Sequence, residues 1–489
     1  MKKRMKSIRR RPSFGLSASS RLASMEETAK AAQSHSNRFE SKSSFFSTAR
    51  DEAILRLQPE DVVRGSLVGK GAYNHVYEAT LKVEELEEVS DASPGSQQKL
   101  SAKVGAANHS RMNGSEPRWA SMHDERNTRF TGMSETLEED TVAQTTGNYI
   151  SCPSEEDQPQ RGRQRRYVLK CIRPSFLNDS ERYKNGVIDL VLECKTLSSM
   201  TPHDNIIRLH GVSAGGIAEN VSQGKFFLIL ERVQCTLSDR IAERRMAQQP
   251  GFATILARSL HLSQPSGNAN IDADTSGSSG DSGSGGDYLR SQRLRIASGL
   301  TAGLRHIHSH NIAYRDIKPE NIGLDESGSV KIIDFGFAKE IYPQDHNKSK
   351  RRPTGMVGTL RYMAPEVALC RHYDQRCDIY SLAVVLWELW SLKKPYSKMN
   401  RRQIQERVIC GGERLKLNAS WPDQIQDSIK QCWAEDPELR PTLESISDAI
   451  LNAQRRKRRN KKSSSLLDFL SGSLHSSSKK GTRSSSKAA

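Results

Sequence analysis

The 489-residue chain has no run of the roughly 18 apolar residues that a membrane-spanning helix needs. The best candidate, around Leu382–Leu389, is broken by Glu388. Cysteine is sparse and scattered: eight residues and no Cys-x-x-Cys pair, which argues against a zinc site or a disulfide framework and for a reducing compartment. The N-terminus lacks the apolar core of a secretory signal, and residues 1–25 lack acids altogether while carrying eight Lys/Arg. Such a segment leaves a transit peptide open, but the missing amphipathic period favours a plain disordered tail. Aromatics make up only 6% and all hydrophobic residues 35%, so part of the chain is expected not to pack.

The net charge of +17 is unevenly placed. Residues 455–489 carry eleven Lys/Arg against Asp468 alone, so the two tails hold the whole excess and the body is close to neutral. Any nucleic-acid or anionic-membrane contact must therefore rest on the tails. The run Arg455-Arg456-Lys457-Arg458-Arg459-Asn460-Lys461-Lys462 suits nuclear import, an anionic surface or a solvated tail with no address. Composition divides the rest. Residues 1–59 read as a disordered basic tail and 453–489 as a second one. The segments at about 85–165 and 245–287 are polar, the latter Gly/Ser-rich, and read as disordered insertions into a domain spanning 60–452.

Within that domain one stretch organises the others. It is Tyr314-Arg315-Asp316-Ile317-Lys318-Pro319-Glu320-Asn321, followed by Asp334-Phe335-Gly336. Ile322-Gly323-Leu324 and Val330–Ile333 read as short strands around the turn Asp325–Gly328. In-line phosphoryl transfer needs this set: a carboxylate to orient a hydroxyl, an ammonium to neutralise the moving group, and an amide and a carboxylate for metal ions. The segment resembles the catalytic and metal-binding loops of the eukaryotic protein kinases, with Tyr314 where that family usually has His.

Other segments extend the resemblance. Leu67-Val68-Gly69-Lys70-Gly71-Ala72-Tyr73-Asn74-His75-Val76-Tyr77 is similar to the Gly-rich loop, with Gly69, Gly71 and Val76 in register and Asn74 at the third glycine. Tyr167-Val168-Leu169-Lys170-Cys171-Ile172 carries Lys170 at the phosphate-binding lysine. The helical pattern after it supplies Glu193 as that lysine's ion-pair partner. Leu230 matches the residue guarding the rear of the adenine pocket, and Glu231-Arg232-Val233 the hinge. Asp378 matches the acid bracing the catalytic loop, and Arg440 the partner of Glu366. Leu294, Ala297, Leu300, Leu304 and Ile307 keep helical spacing ahead of the loop. His306, His308 and His310 alternate there, too far round a helix for joint metal ligation.

The resemblance implies an α+β bilobal kinase fold: a small β-rich N-lobe, 60–233, with one main helix, and a larger helical C-lobe, 234–452. It implies a serine/threonine protein kinase, since Lys318 and Gly358–Met363 fit that type; Trp387 and Arg440-Pro441-Thr442 look most like the tyrosine-kinase-like group. Asp316, Lys318, Lys170 and Glu193 would be catalytic. Val68, Gly69, Lys70, Gly71, Val76, Val168, Lys170, Leu230, Glu231 and Val233 would bind ATP, and Asn321 and Asp334 would hold Mg²⁺. Gly323, in place of the usual leucine under the adenine, implies a roomy floor. Arg315 implies an activating phosphate, with Ser349 or Thr354 as candidates, set by an upstream kinase or by the chain itself. Glu320 and Glu388 match the carboxylates that receive a substrate arginine in Arg-directed members, and Arg-Arg-Pro precedes both Ser13 and Thr354. The expected partners are protein substrates, the chain is expected to be monomeric, and its expected place is the cytoplasm, with nuclear entry open through the basic run. An ATP-binding pseudokinase or scaffold, and a protein that binds nucleic acid through its tails, are the rival classes.

Overall fold

A computed structural model describes residues 18–82, 167–248, 283–341 and 358–455. The chain divides into two compact units, Met1–Pro202 with Ile207–Gln234, and His203–Ile206 with Cys235–Ala489.

The first unit is built on a six-stranded sheet. Its strands are β1 (Leu55–Leu57), β2 (Val62–Lys70), β3 (Asn74–Leu81), β4 (Tyr167–Ile172), β5 (Leu209–Ser213) and β6 (Phe227–Glu231), in the order β1-β5-β6-β4-β3-β2. All pairs are antiparallel except β1 with β5. Side chains alternate along a strand. Tyr167, Leu169 and Cys171 of β4 therefore share one face, where they join Leu57, Val62, Ala79, Phe227 and Ile229 in a core cluster. Val168 and Lys170 point the other way, opposite Leu230 and Leu228 in register. The main helix of the unit, α3 (Ser180–Ser199), packs on β4 and β5. Its start is fixed by Asp179, whose side chain accepts from the Arg182 amide.

Residues 18–59 correct the expectation of a disordered tail. Ala18–Lys42 form a helix, α1, that packs against α3 and the short α4 (Ile217–Ser222). Thr48–Glu52 form α2, and β1 closes the sheet edge beside β5. The buried stripe of α1 is Met25, Thr28, Ala29, Ala32 and Ser36, at helical spacing but small and partly polar. A pattern search for large apolar residues does not see such a face, and its stability comes from close packing on a neighbour. Residues 1–17 lie outside the described residues, as do the insertion at 85–165 and most of that at 245–287. The edges of the latter are helical: α5 (Leu237–Ala247) runs past Arg245, and α6 (Gly283–Ser309) starts inside the Gly/Ser run.

The second unit is mainly helical. The central α6 buries Leu294, Ala297, Leu300, Leu304 and Ile307, the stripe expected from spacing. Short strands β7 (Cys235–Thr236), β8 (Ile312–Ala313), β9 (Ile322–Leu324), β10 (Val330–Ile332) and β11 (Lys339–Glu340) frame the loops between α6 and α7 (Pro365–Ala368). The β9–β10 hairpin has the expected limits to within a residue. The apolar helix α8 (Arg376–Ser391) is buried on nearly every face, and α9 (Asp423–Cys432) packs against it. The chain stays helical to Arg455, so the second tail begins later than 453; residues 456–489 lie outside the described residues. Among the described residues no helix is long and apolar enough to cross a membrane.

Candidate active site

In the first unit, β4 presents Lys170 toward α3, where its Nζ lies 2.6 Å from Glu193 Oε2. Both side chains are buried, at 7% and 1% exposure. A buried charge persists only when paired, so each residue fixes the other. The turn joining β2 to β3 is closed by the Gly71 amide donating to the Asn74 carbonyl at 2.8 Å, and Arg173 donates to the Gly71 carbonyl. Gly69 and Lys70 pair with Val76 and His75, and Val68 is half exposed. Asn74, at the third glycine position, does not use a left-handed φ. It opens β3 as ordinary strand, buried, and its Oδ1 has no partner among the described residues. At the loop tip, Tyr73 rests on Gly186 of α3, where an added Cβ would come within 2.7 Å of Tyr73 Cβ. Leu230 and Val168 are buried side by side on β6 and β4. At the end of β6 the Glu231 amide donates to the Arg208 carbonyl and the Glu231 carboxylate accepts from the Arg208 amide at 3.2 Å; Val233 lies half-buried just past it.

In the second unit, Asp316 is the hub. Its carboxylate is 4% exposed and accepts from Lys318 Nζ at 2.7 Å and Asn321 Nδ2 at 2.8 Å on Oδ2. The Thr359 amide and hydroxyl reach Oδ1 at 3.2 and 3.3 Å. Thr359 Oγ1 also accepts from Lys318 at 3.2 Å. Burial pushes the Asp316 pKa above the usual carboxylate range; Asp334 nearby adds to this, while Lys318 and Asn321 oppose it. The sequence places Thr359 only within the segment Gly358–Met363, with no partner assigned to it. Its position against both Asp316 and Lys318 depends on Gly358. That residue has φ +101°, and a Cβ there would meet the Arg315 carbonyl at 2.5 Å.

Asp378, fully buried in the first turn of α8, holds the loop from beneath as expected. It accepts from the Tyr314 and Arg315 amides at 2.8 and 2.7 Å. His308 Nε2 lies 2.9 Å from the same carboxylate, a role that alternation along α6 did not suggest. The bond to the Arg315 amide supports that residue in a left-handed conformation (φ 69°), one that persists in a non-glycine residue only where surroundings impose it; Asp334 is left-handed too (φ 66°). Tyr314, fully buried, donates from its hydroxyl to the Ile333 carbonyl and packs edge-on against Phe335, with centroids 5.3 Å apart. The Arg315 guanidinium donates to the Phe337 carbonyl at 2.7 Å and to Tyr373 Oη at 3.0 Å. Ser349 and Thr354 lie outside the described residues. Arg440 and Glu366 form the expected pair, bidentate at 2.6 and 2.9 Å and buried. Gly323 sits in β9 between Lys331 and Thr236, leaving no side chain there.

The geometry of the second unit thus offers an oriented, raised-pKa carboxylate beside an ammonium, with amide and carboxylate oxygens from Asn321 and Asp334. Oxygen donors of that kind suit a hard divalent cation shared with phosphates. Comparison with known proteins agrees. The protein kinase domain family matches residues 286–451. A serine/threonine-protein kinase of Arabidopsis thaliana, STY17, is 34% identical over 157 residues, 32% of this chain and 26% of its own. The serine/threonine/tyrosine-protein kinase HT1 of the same plant is 34% identical over 153 residues, 31% of this chain and 38% of its own. A probable LIM domain-containing serine/threonine-protein kinase of Dictyostelium discoideum is 33% identical over 158 residues, 32% of this chain and 23% of its own. The chain thus spans well under half the length of these curated relatives. Residues 286–451 are thus similar to the protein kinase domain family, and the relatives that match there are named as serine/threonine- or serine/threonine/tyrosine-protein kinases.

Proposed function

We propose that the protein is a serine/threonine protein kinase that moves the γ-phosphoryl group of ATP to Ser/Thr hydroxyls of proteins. The observation that carries this reading is the Asp316 hub, a buried carboxylate bonded at once to Lys318, Asn321 and Thr359. Asp316 orients the attacking hydroxyl and takes its proton, for which a raised pKa suits it. Lys318 stabilises charge on the phosphoryl group in flight. Lys170, held by Glu193, contacts the α- and β-phosphates. Asn321 and Asp334 would hold Mg²⁺, which when bound neutralises phosphate charge. Val68, Gly69, Lys70, Gly71 and Val76 would cover the nucleotide. Val168, Leu230, Glu231 and Val233 would line and hydrogen-bond its base. The presence of every one of these residue types weighs against a pseudokinase or scaffold.

The preferred substrate class is arginine-directed. Glu388 is buried, accepts from Tyr362 Oη at 2.7 Å and feels the charge of exposed Glu320. A guanidinium two residues before the target would be drawn to that pair. Ser13 and Thr354, each after Arg-Arg-Pro, become candidate self-phosphorylation sites. We assign the protein to the cytoplasm, with access to the nucleus through the basic run.

The test is phosphoamino-acid analysis of a generic basic protein incubated with the purified chain and MgATP. Phosphoserine or phosphothreonine is expected. No incorporated phosphate, or phosphotyrosine alone, contradicts the reading.

A further inference from the structure

The helix that carries Glu193 is gripped on both sides. Successive helical residues are about 100° apart, so positions two apart point in nearly opposite directions. Glu193 faces the sheet and Lys170; Lys195, two residues on, faces α1 and α2. There Lys195 is 6% exposed, and its ammonium lies 2.8 Å from Glu40 and 2.9 Å from Asp51. It also sits over the Phe46 ring at 5.6 Å. Asp51 accepts from Ser198 Oγ at 2.7 Å, and Arg50 Nε donates to the Ser199 carbonyl at 2.8 Å. Burial works against the Lys195 charge, but its bonds to Glu40 and Asp51 outweigh it and hold the ammonium above the ordinary lysine range. The small faces of Ala29, Ala32 and Ser36 let α1 approach α3 closely along its length.

We propose that residues 18–52 are a built-in brace that holds α3 in the position where Glu193 meets Lys170, with Lys195 as the positioning residue through which the brace acts. This rests on the kinase reading only for its effect on rate; the mechanical claim stands on the first unit alone. Three contact groups hold the C-terminal half of α3: Lys195 with Glu40 and Asp51, Ser198 with Asp51, and the Ser199 carbonyl with Arg50. Glu193 lies within that same stretch. Displacement of α1 and α2 would release it, leaving two buried charges to separate or rearrange. The N-terminal segment therefore does more than cap the fold: it gives the chain an internal control over its phosphate-binding lysine.

The experiment uses the full chain as Lys195→Met, Asp51→Asn, Glu193→Gln and Lys195→Met with Glu193→Gln. Hydrogen exchange of amides in residues 186–199 and kcat/KM are read on each. Lys195→Met keeps the apolar stem and removes the ammonium. It is expected to speed exchange across this stretch about tenfold and to lower kcat/KM about tenfold. In the Glu193→Gln background the same change is expected to alter kcat/KM less than about twofold, because the pair through which the brace acts is already broken. Should Lys195→Met fail to fold, Asp51→Asn, which leaves Glu40 on Lys195, is read the same way. Unchanged exchange, or losses that multiply in the double variant, overturns the brace. A wild-type chain that transfers no phosphate while α3 exchange still responds supports the brace and overturns the kinase reading instead.

Discussion

Glu388 is the residue on which the proposed arginine preference rests. Its burial pushes its pKa up to about 7; the Tyr362 bond opposes this and Glu320 adds to it. An acid raised in this way is neutral below about pH 7 and charged above it. An arginine placed against it should therefore bind better as pH rises. For a peptide with Arg two residues before the target, KM is expected to fall about five- to tenfold from pH 6 to pH 8. The same peptide with Ala there should show no such trend, and steady-state kinetics on both decides it. Tyr314 is another departure with a visible reason: its hydroxyl satisfies the Ile333 carbonyl, and its ring supports Phe335. Tyr314→Phe should cost about 1 kcal/mol by chemical denaturation, the value of one hydrogen bond to a buried acceptor. The residues that bond to one another through local motif spacing, Asp316 with Lys318 and Asn321, were legible in the sequence. Thr359 and His308 were not as legible, because their partners lie 43 and 70 residues away and nothing local marks them.

Elements were legible where burial is large and apolar. The α6 stripe and the β9–β10 hairpin follow from period and turn chemistry alone. Helix α1 did not, since alanine, serine and threonine carry its buried face. Its fold is decided by what α3 and α4 offer, which no local window contains. Between elements, Arg440 joins the segment after α9 to Glu366 in α7, both charges out of water. Glu366→Gln keeps the shape and leaves Arg440 buried without its counter-charge. It should destabilise the second unit by about 3–5 kcal/mol, read as a lower midpoint in urea. A loss below about 1 kcal/mol would show that the guanidinium is held well enough by the Ala434 and Arg376 carbonyls it also reaches.

At the scale of the whole molecule, charge and chemistry are separated. The tails carry slightly more than the whole +17, while the residues proposed as catalytic lie in the near-neutral body. The family match covers 286–451 and so falls within the second unit; the first unit is read from its sheet, its Gly loop and the Lys170–Glu193 pair. A chain trimmed to residues 18–455 should transfer phosphate within about twofold of the full chain, since it keeps both units and the α1 brace. The same trimming should abolish any steeply salt-dependent binding to polyanions, because released counterions scale with the basic residues removed. Retention of that binding would place it in the body instead.

The proposed role of Asp316 is to handle the hydroxyl proton in phosphoryl transfer. Its most direct test is the rate at which Asp316→Asn and wild type move phosphate from MgATP to the same protein substrate, with nucleotide affinity measured alongside. A rate lower by about 10²–10⁴ is expected in the variant, the usual contribution of a positioned general base, at unchanged nucleotide affinity. Equal rates would contradict it.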